Sequence, residues 1–591
     1  MAVSSVQRCS ITRRLLIVIV TALLVSTVSS QRVNFTMCYY EKVKSLNTSD
    51  LSDKRQSFLY DITGTKRLEA DKPYLSLLGC AELCGHSDPM AEQIWSASEI
   101  GGRFIAFIIP VIVLAGRFSY SAAGLKNAIF TFIHLIGDPI DSSWSLLTRQ
   151  EVARRNWILA VEWWSQNPKH VATVFTVFDQ WLQDPLKHLS TKPGHDTPQS
   201  PGTRQHDPLN SPFLFKLPEE GTKARTRVLG YIKEASRKIG TLNSNTLVSS
   251  WLLVIWFGGA LAGAFVRTAT QETNNQTAHT IAVVMLFSFL VFAVIVRGHT
   301  GDFKHREHVL WEMMKLQRDT GNLLPEIDDK AAELYVDGKP YSGVIKSFRP
   351  VKTLKFIGKR QHRSEWLLFG ISLASVFIGC AAAFCLSWFT PSQGFGCRAA
   401  AWLCIFLVWC SSCGLTAWFG RLSNGDVKKH WYMTIVKDFL CMSFVVILVG
   451  FAQAGMMNNC YCRASVTFQP HKRGVIDIGP VDQKQRRDSL FLWITTPLLG
   501  MALIGVCCFV AGLQGENARM LFERSSEEAA AELRALMNDV ERCGGSEGGG
   551  RDDPNISGDE RSRLICPDTN PAYPLKTLPS DGTRSESTRD S

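Results

Sequence analysis

The chain is 591 residues long, 46% apolar, and carries 64 Lys and Arg against 53 Asp and Glu, a formal net charge of +11. An excess of positive charge invites a nucleic-acid reading, but its distribution excludes one. The basic residues gather in loops beside long apolar stretches, the pattern of a cytosolic membrane face.

Residues 1–30 read as a signal peptide. Arg8, Arg13 and Arg14 precede an apolar core at 15–25, and Val28 and Ser30 suit a cleavage site. The segment 31–99 is then expected outside, and it holds two N-glycosylation acceptors, Asn34 and Asn47. Seven apolar stretches follow, at 100–118, 247–266, 280–296, 366–389, 399–419, 439–457 and 490–513. A helix rises ~1.5 Å per residue, so ~20 apolar residues match a hydrocarbon core ~30 Å thick. Lipid offers no partner to bare backbone, so each stretch must be helical. The expected fold is an all-α membrane protein of about seven transmembrane helices, with the N-terminus outside and the C-terminus cytosolic. Its membrane belongs to the secretory pathway, either the plasma membrane or an endomembrane.

Crossing counts agree with this orientation. The loop between the second and third stretches carries a third acceptor, Asn275, and falls outside. The basic loops 119–246 and 297–365 fall inside, as does a short basic loop with Arg421, Lys428 and Lys429. The loop 458–489 argues the other way, being outside yet rich in Lys and Arg. The apolar run 125–140 would invert every later loop if it spanned. It is short, contains Lys126 and His134, and ends in Asp138-Pro139, so it reads as an interfacial or re-entrant helix.

The cysteines sort by side. Cys38, Cys80, Cys84, Cys397, Cys460 and Cys462 fall on outside segments, an even number, as disulfide pairing in an oxidising compartment requires. Six cysteines allow 15 pairings, and the sequence does not choose among them. Cys80-x3-Cys84-x-His86 also fits a metal site, a weaker reading than disulfides in that compartment.

Within the membrane the helices look almost free of charge. Arg398, Glu365, Lys437 and Asp438 are expected at helix ends, within reach of water. No carboxylate or histidine is expected at the depth where ion-coupled proteins keep them. Trp366 and Trp388, then Trp402 and Trp418, bracket two helices as interfacial anchors do. Gly259-x3-Gly263 permits close helix packing within the chain. Pro110 and Pro497 are candidate kinks.

Prolines recur among polar residues between 190 and 221, giving an extended linker. His305, His308 and Glu312 share one face of a helix at 302–320, expected to be solvated and not metal-binding. The tail 514–591 is cytosolic. In it, Ser525-x2-Glu528 makes a capping box before an apolar stripe at Leu533, Leu536, Met537 and Val540, a docking surface for a cytosolic protein. Beyond 544 the composition predicts disorder. Gly137-Asp138-Pro139-Ile140-Asp141 is the sharpest polar cluster near the membrane. Its carboxylates fit a cation or acid–base site, and fit helix capping better. The sequence holds no phosphate-binding Gly loop, zinc-protease motif or nucleophile elbow. No cofactor or catalytic residue is implied.

Cys80-x3-Cys84-Gly85, Trp95, Arg103, Pro110, the run His134–Asp141, Leu146-Leu147 and Asn459-Cys460-Tyr461-Cys462 together give the chain its character. In these points it resembles an uncharacterised family of fungal multi-pass membrane proteins. The resemblance implies topology and no chemistry. With no Asp-Arg-Tyr after Val296 and no Asn-Pro-x2-Tyr near Pro497, the chain departs from rhodopsin-like receptors. The expected function is a non-enzymatic receptor or sensor, the competing one a transporter or channel for an uncharged solute.

Overall fold

The structure, a computed structural model, describes residues 32–33, 35–43, 59–60, 74–84, 91–92, 111, 113–114, 124–163, 168–181, 222–244, 247–270, 275–300, 302–303, 306–321, 360–390, 394–422, 427–453, 457, 460, 462, 476–477 and 483–522. All of them belong to one compact unit, Met1–Glu523. The leader, Asn34, Asn47, most of 100–118, the proline-rich linker, His305 and the stripe at Leu533 lie outside the described residues.

A small module is built from short strands and helices held by sulfur. β1 (Arg32–Val33) leads to α1 (Phe35–Cys38), which continues as a wider turn to Val43. β2 (Leu59–Tyr60) and β3 (Tyr74–Leu75) pair, and α2 (Leu77–Cys84) follows. Ser76 caps α2, its Oγ accepting from Gly79 N at 3.0 Å. β4 (Ala91–Glu92) closes back on β1. Phe35, Val43 and Leu75 fill a core too small to be stable alone, and three disulfides supply the rest. They join Cys38 to Cys84, Cys80 to Cys460 and Cys397 to Cys462, with Cα–Cα separations of 5.6, 5.9 and 5.0 Å. The pairing that the sequence left open thus ties the N-terminal segment and the start of one long helix to a single loop.

The bundle begins with a sharp V. α3 (Gly124–Gly137) meets α4 (Pro139–Trp163) at Asp138. α5 (Pro168–Trp181), α6 (Lys223–Leu242), β5 (Asn243–Ser244) and the apolar α7 (Leu247–Thr270) follow. The next stretch, expected as one helix at 280–296, is broken into α8 (Asn275–Leu286) and α9 (Phe289–Thr300). At the break Ser288 N donates to Met285 O at 3.1 Å and Val291 N to Ser288 O at 3.0 Å, the tighter i→i+3 pattern. β6 (Asp302–Phe303), α10 (Arg306–Asp319), α11 (Arg360–Phe389), α12 (Cys397–Leu422), α13 (Val427–Gln453), β7 (Ile476–Asp477) and α14 (Gln483–Phe522) complete the order. β7 adds to β3 of the small module. α14 runs unbroken through Pro497 for 40 residues, about 60 Å.

Five stretches among the described residues are long and apolar enough to cross a membrane: Ala278–His299, Trp366–Phe389, Cys397–Phe419, Lys429–Gln453 and Asp488–Leu513. The first is wholly buried at the bundle centre, packed by α4, α7, α11 and α14. A β-carbon on Gly379 of α11 would lie 2.7 Å from Met285 O and 3.0 Å from Ser288 Oγ, so glycine lets α11 cross the break closely. The outer helices show the reverse of a water-soluble pattern. Leu252, Ile255, Leu407, Leu440, Phe491, Leu499 and Phe509 point outward.

Three sequence expectations are corrected. The stretch at 439–457 is in fact Lys429–Gln453, because the helix carries Lys437 and Asp438 inside it and not at its end. Trp402 is no interfacial anchor: it is fully buried and its Nε1 donates to Ser387 Oγ at 2.6 Å. Gly259 and Gly263 face open space, so none of the described helices packs against them.

A second core sits at the opposite end from the disulfides. The far half of α4 packs with α5, α6 and α10 through Ala153, Val171, Phe175, Val228, Ile232, Val309 and Met313. The β5–β6 ladder ties this helical cap to the bases of α7 and α9. Glu312 is buried here, with Lys238 Nζ 3.5 Å away, so the solvated face expected of it is an internal one.

Candidate functional site

The V of α3 and α4 is a helical hairpin, and its geometry follows from four residues. α3 runs alongside α13 in the same direction. Phe130 meets Trp431 edge-on at 5.2 Å, and Gly137 abuts Asp438 so closely that a β-carbon would overlap the Asp438 carbonyl. Pro139 has no N–H to donate and suits the first position of a new helix. Asp138 caps that helix, its Oδ1 accepting from Asp141 N at 3.2 Å. Ser142 Oγ reaches back to His134 O at 3.2 Å, a contact an unbroken helix could not make across eight residues. α4 then descends toward the cap. Trp144 packs on Phe369 at 5.1 Å, and Gln150 Nε2 donates to Val296 O at 2.9 Å. The orphan carbonyls at the end of α3 are taken by α12: Trp409 Nε1 donates to Ile136 O at 2.9 Å and Ser412 Oγ to Gly137 O at 3.0 Å.

The tip of this hairpin gathers five ionisable side chains. Asp138, Asp141 and Asp438 are fully buried, and Lys437 and His134 are buried almost as deeply. Lys437 Nζ lies 2.6 Å from Asp138 Oδ2 and 2.7 Å from Asp438 Oδ1. It also donates toward Ser412 Oγ at 2.6 Å, Thr416 Oγ1 at 2.7 Å and Ser412 O at 3.0 Å. Thr416 Oγ1 in turn donates to Asp138 Oδ2 at 2.8 Å. His134 Nδ1 donates to Asp438 Oδ2 at 2.7 Å, since a carboxylate only accepts. Among the described residues His134 Nε2 makes no hydrogen bond, and Asp141 Oδ2 stands 3.6 Å from it.

Three carboxylates, one ammonium and one imidazole thus meet at the tip, linked by contacts of 2.6 to 3.6 Å. Isolated buried charge is expensive, so the members of the cluster hold one another by pairing. Lys437 already occupies the place of a bound cation, and among the described residues no three His, Cys, Asp or Glu are disposed to hold a metal ion. Lys437 lies eight residues inside the span that starts at Lys429, about 12 Å along the helix.

A polar lane leaves the cluster along α4. Asp141, Ser145, Thr148, Glu151 and Arg155 follow one another at three- and four-residue steps, and all are buried. Burial pushes the Glu151 carboxyl up, but Arg154 and Arg155, hydrogen-bonded to it at 2.8 and 2.7 Å, outweigh that and hold it below the usual carboxylate range.

Of the motifs marked in the sequence, Gly137–Asp141 proves to be the tip of the hairpin. The capping role expected for Asp138 is present, and the same residue is also half of an ion pair. The expectation that no carboxylate or histidine lies deep in the bundle is overturned by this cluster. Sequence reasoning missed Lys437 and Asp438 because they follow a polar stretch, Lys428 to Thr434, that looks like a loop. The usable signal was length: 427–453 is long enough to be one helix with the pair inside it. Asn275 opens α8 at the disulfide end of the bundle, where His279 of the same helix meets Arg398 beside Cys397.

The fold and cluster define an all-α bundle with helices long and apolar enough to cross a membrane and an ionisable centre inside it. Compared with known proteins, the chain matches no family model, no curated protein and no solved structure.

Proposed function

We propose that the chain is a multi-pass membrane protein of the secretory pathway, N-terminus outside and C-terminus cytosolic, that couples proton uptake at the hairpin tip to movement of a solute. The buried cluster of His134, Asp138, Asp141, Lys437 and Asp438 carries this reading. Ionisable groups inside an apolar bundle are costly and mark ion or proton pathways. The broken, wholly buried α8–α9 and the helical hairpin support it, since irregular backbone at membrane depth is tolerated around a protein-lined path. A transporter for an uncharged solute was the competing expectation from sequence, and the cluster gives that solute a proton to travel with. The disulfides and Asn275 sharing one end support the outside assignment of that end.

The chemistry rests on His134. From α13 it faces Asp438, from α4 Asp141 and from the bend Asp138, and α12 closes the site with Ser412, Thr416 and the buried thiol of Cys413. A proton on Nε2 gives an imidazolium between Asp438 and Asp141. That strengthens the pull on Asp141 across 3.6 Å and draws the first turn of α4 toward α13. Loss of the proton releases it. The same observation leaves room for a sensor, because α4 passes directly from the cluster into the helical cap. The purified full chain in liposomes with a lumenal pH dye separates the two. Under a potassium diffusion potential, wild type is expected to admit protons when a neutral solute gradient is added, and Asp141→Asn and His134→Gln to lose that flux. Wild-type liposomes that stay proton-tight across a panel of neutral sugars and amides would sink the transport reading and leave the sensor.

A further inference from the structure

Outside the bundle, α6 carries Lys223, Arg225, Arg227, Lys233, Arg237 and Lys238 against a single acid, Glu234. Its apolar face, Val228, Ile232, Ala235 and Ile239, packs inward on α5 and α10. Lys223, Arg227, Lys233 and Arg237 recur at four- and six-residue intervals on the opposite face, and all four are exposed. A basic stripe by itself is a solvated face. Two further observations distinguish this one. α10 exposes Trp311 and Met314, 56% and 47% accessible, and Lys315 links Trp311 to α6, standing 5.8 Å over its ring and 3.8 Å from Glu234. Exposed tryptophan beside lysine is the composition of a membrane interface, not of a water-facing helix. Position is the second. β5 and the apolar α7 follow α6 directly, while β6 joins α10 to the end of the Ala278–His299 span, and the two strands pair. The stripe is therefore leashed to the apolar bundle at the end where α7 begins and the Ala278–His299 span ends.

We propose that the joint face of α6 and α10 is a docking surface for the anionic headgroups of the leaflet at the cap end, with Lys223, Arg227, Lys233 and Arg237 on phosphate or carboxylate groups and Trp311 at the headgroup level. The proposal rests on the bilayer reading of the apolar helices but not on proton coupling. It therefore fails or holds independently of the cluster.

The test uses the full chain in nanodiscs of phosphatidylcholine alone and of phosphatidylcholine with phosphatidylserine, which expose both leaflets. Acylation of Lys223 and Lys233 by a neutral reagent is followed by mass spectrometry. Phosphatidylserine is expected to slow both lysines at least about fivefold, and high salt to abolish the difference. R227E/R237E should remove it as well, but the wild-type comparison alone is decisive if that variant misfolds. Equal labelling in the two lipids overturns the proposal. Protection found in native membranes and absent from both nanodiscs also overturns it, in favour of an acidic protein partner. A chain that fails to enter nanodiscs at all would instead refute the bilayer reading beneath it.

Discussion

The chain contains two ionic networks built from the same chemistry in opposite surroundings. At the hairpin tip Lys437 bridges Asp138 and Asp438 with all three buried. On the cap Lys238 bridges Glu234 and Glu312, with Lys238 and Glu234 open to water. In water the Coulomb gain of a pair is screened and offset by the entropy of holding two long side chains. Inside the bundle the attraction is strong, but so is the cost of stripping water from each charge. The deep network therefore adds little to stability as a whole and is very sensitive to losing one member.

The largest expected effect is loss of the buried cation. Lys437→Met leaves Asp138 and Asp438 facing each other, and stability in detergent should fall by about 3–5 kcal/mol. Lys437→Met with Asp138→Asn and Asp438→Asn should recover most of it, since neutral partners of similar shape carry no uncompensated charge. A triple variant no more stable than the single one would show that the network is held by packing and not by charge. Next is Gly137→Ala. Its methyl must displace the Asp438 carbonyl, so α3 and α13 part, with an expected cost of about 1–3 kcal/mol in thermal unfolding.

These two variants also mark how far the sequence could be read. Apolar length pointed to all five described helices long enough to cross a membrane, with the start of one, expected at 439, placed ten residues late, because hydrocarbon thickness is a local demand on each helix. Pro139 after Asp138 was enough to end α3 and start α4, because proline and its cap act within one turn. The same locality hid the cluster. His134 and Lys437 are about 300 residues apart, and nothing in either neighbourhood names the other. Hydropathy treats a charge as an end of the membrane unless its partner is known. Disulfide parity behaved likewise: it identified the six cysteines, while the pairing of Cys80 with Cys460 depends on how loops meet in space.

A smaller effect tests the far end of the polar lane. Glu151 has a folded-state pKa below its ordinary value near 4.5, held there by Arg154 and Arg155 against burial. A lowered carboxylate pKa stabilises fully above the unfolded value. That contribution is lost as pH falls through about 4.5 toward the lower folded value. Thermal unfolding of wild type should thus weaken over that window more steeply than that of Glu151→Gln. Parallel pH profiles would mean that the guanidinium contacts do not govern the carboxyl.

The smallest expected effect lies on the cap and fixes the other side of the comparison. Glu234 is 58% exposed and its carboxyl is held low chiefly by the hydrogen bond from Lys238. Water screens that interaction, so Glu234→Gln should change stability by about 0.5 kcal/mol or less. Glu312 meets the same Lys238 from a side chain only 8% exposed. Glu312→Gln should therefore cost more than Glu234→Gln although its contact is longer, 3.5 against 3.1 Å. Distance alone would predict the reverse order. Measuring both variants by thermal unfolding at neutral pH decides whether burial or proximity sets the strength of these pairs. If Glu234→Gln proved the more damaging, the contrast drawn between the hairpin tip and the cap would lose its physical basis.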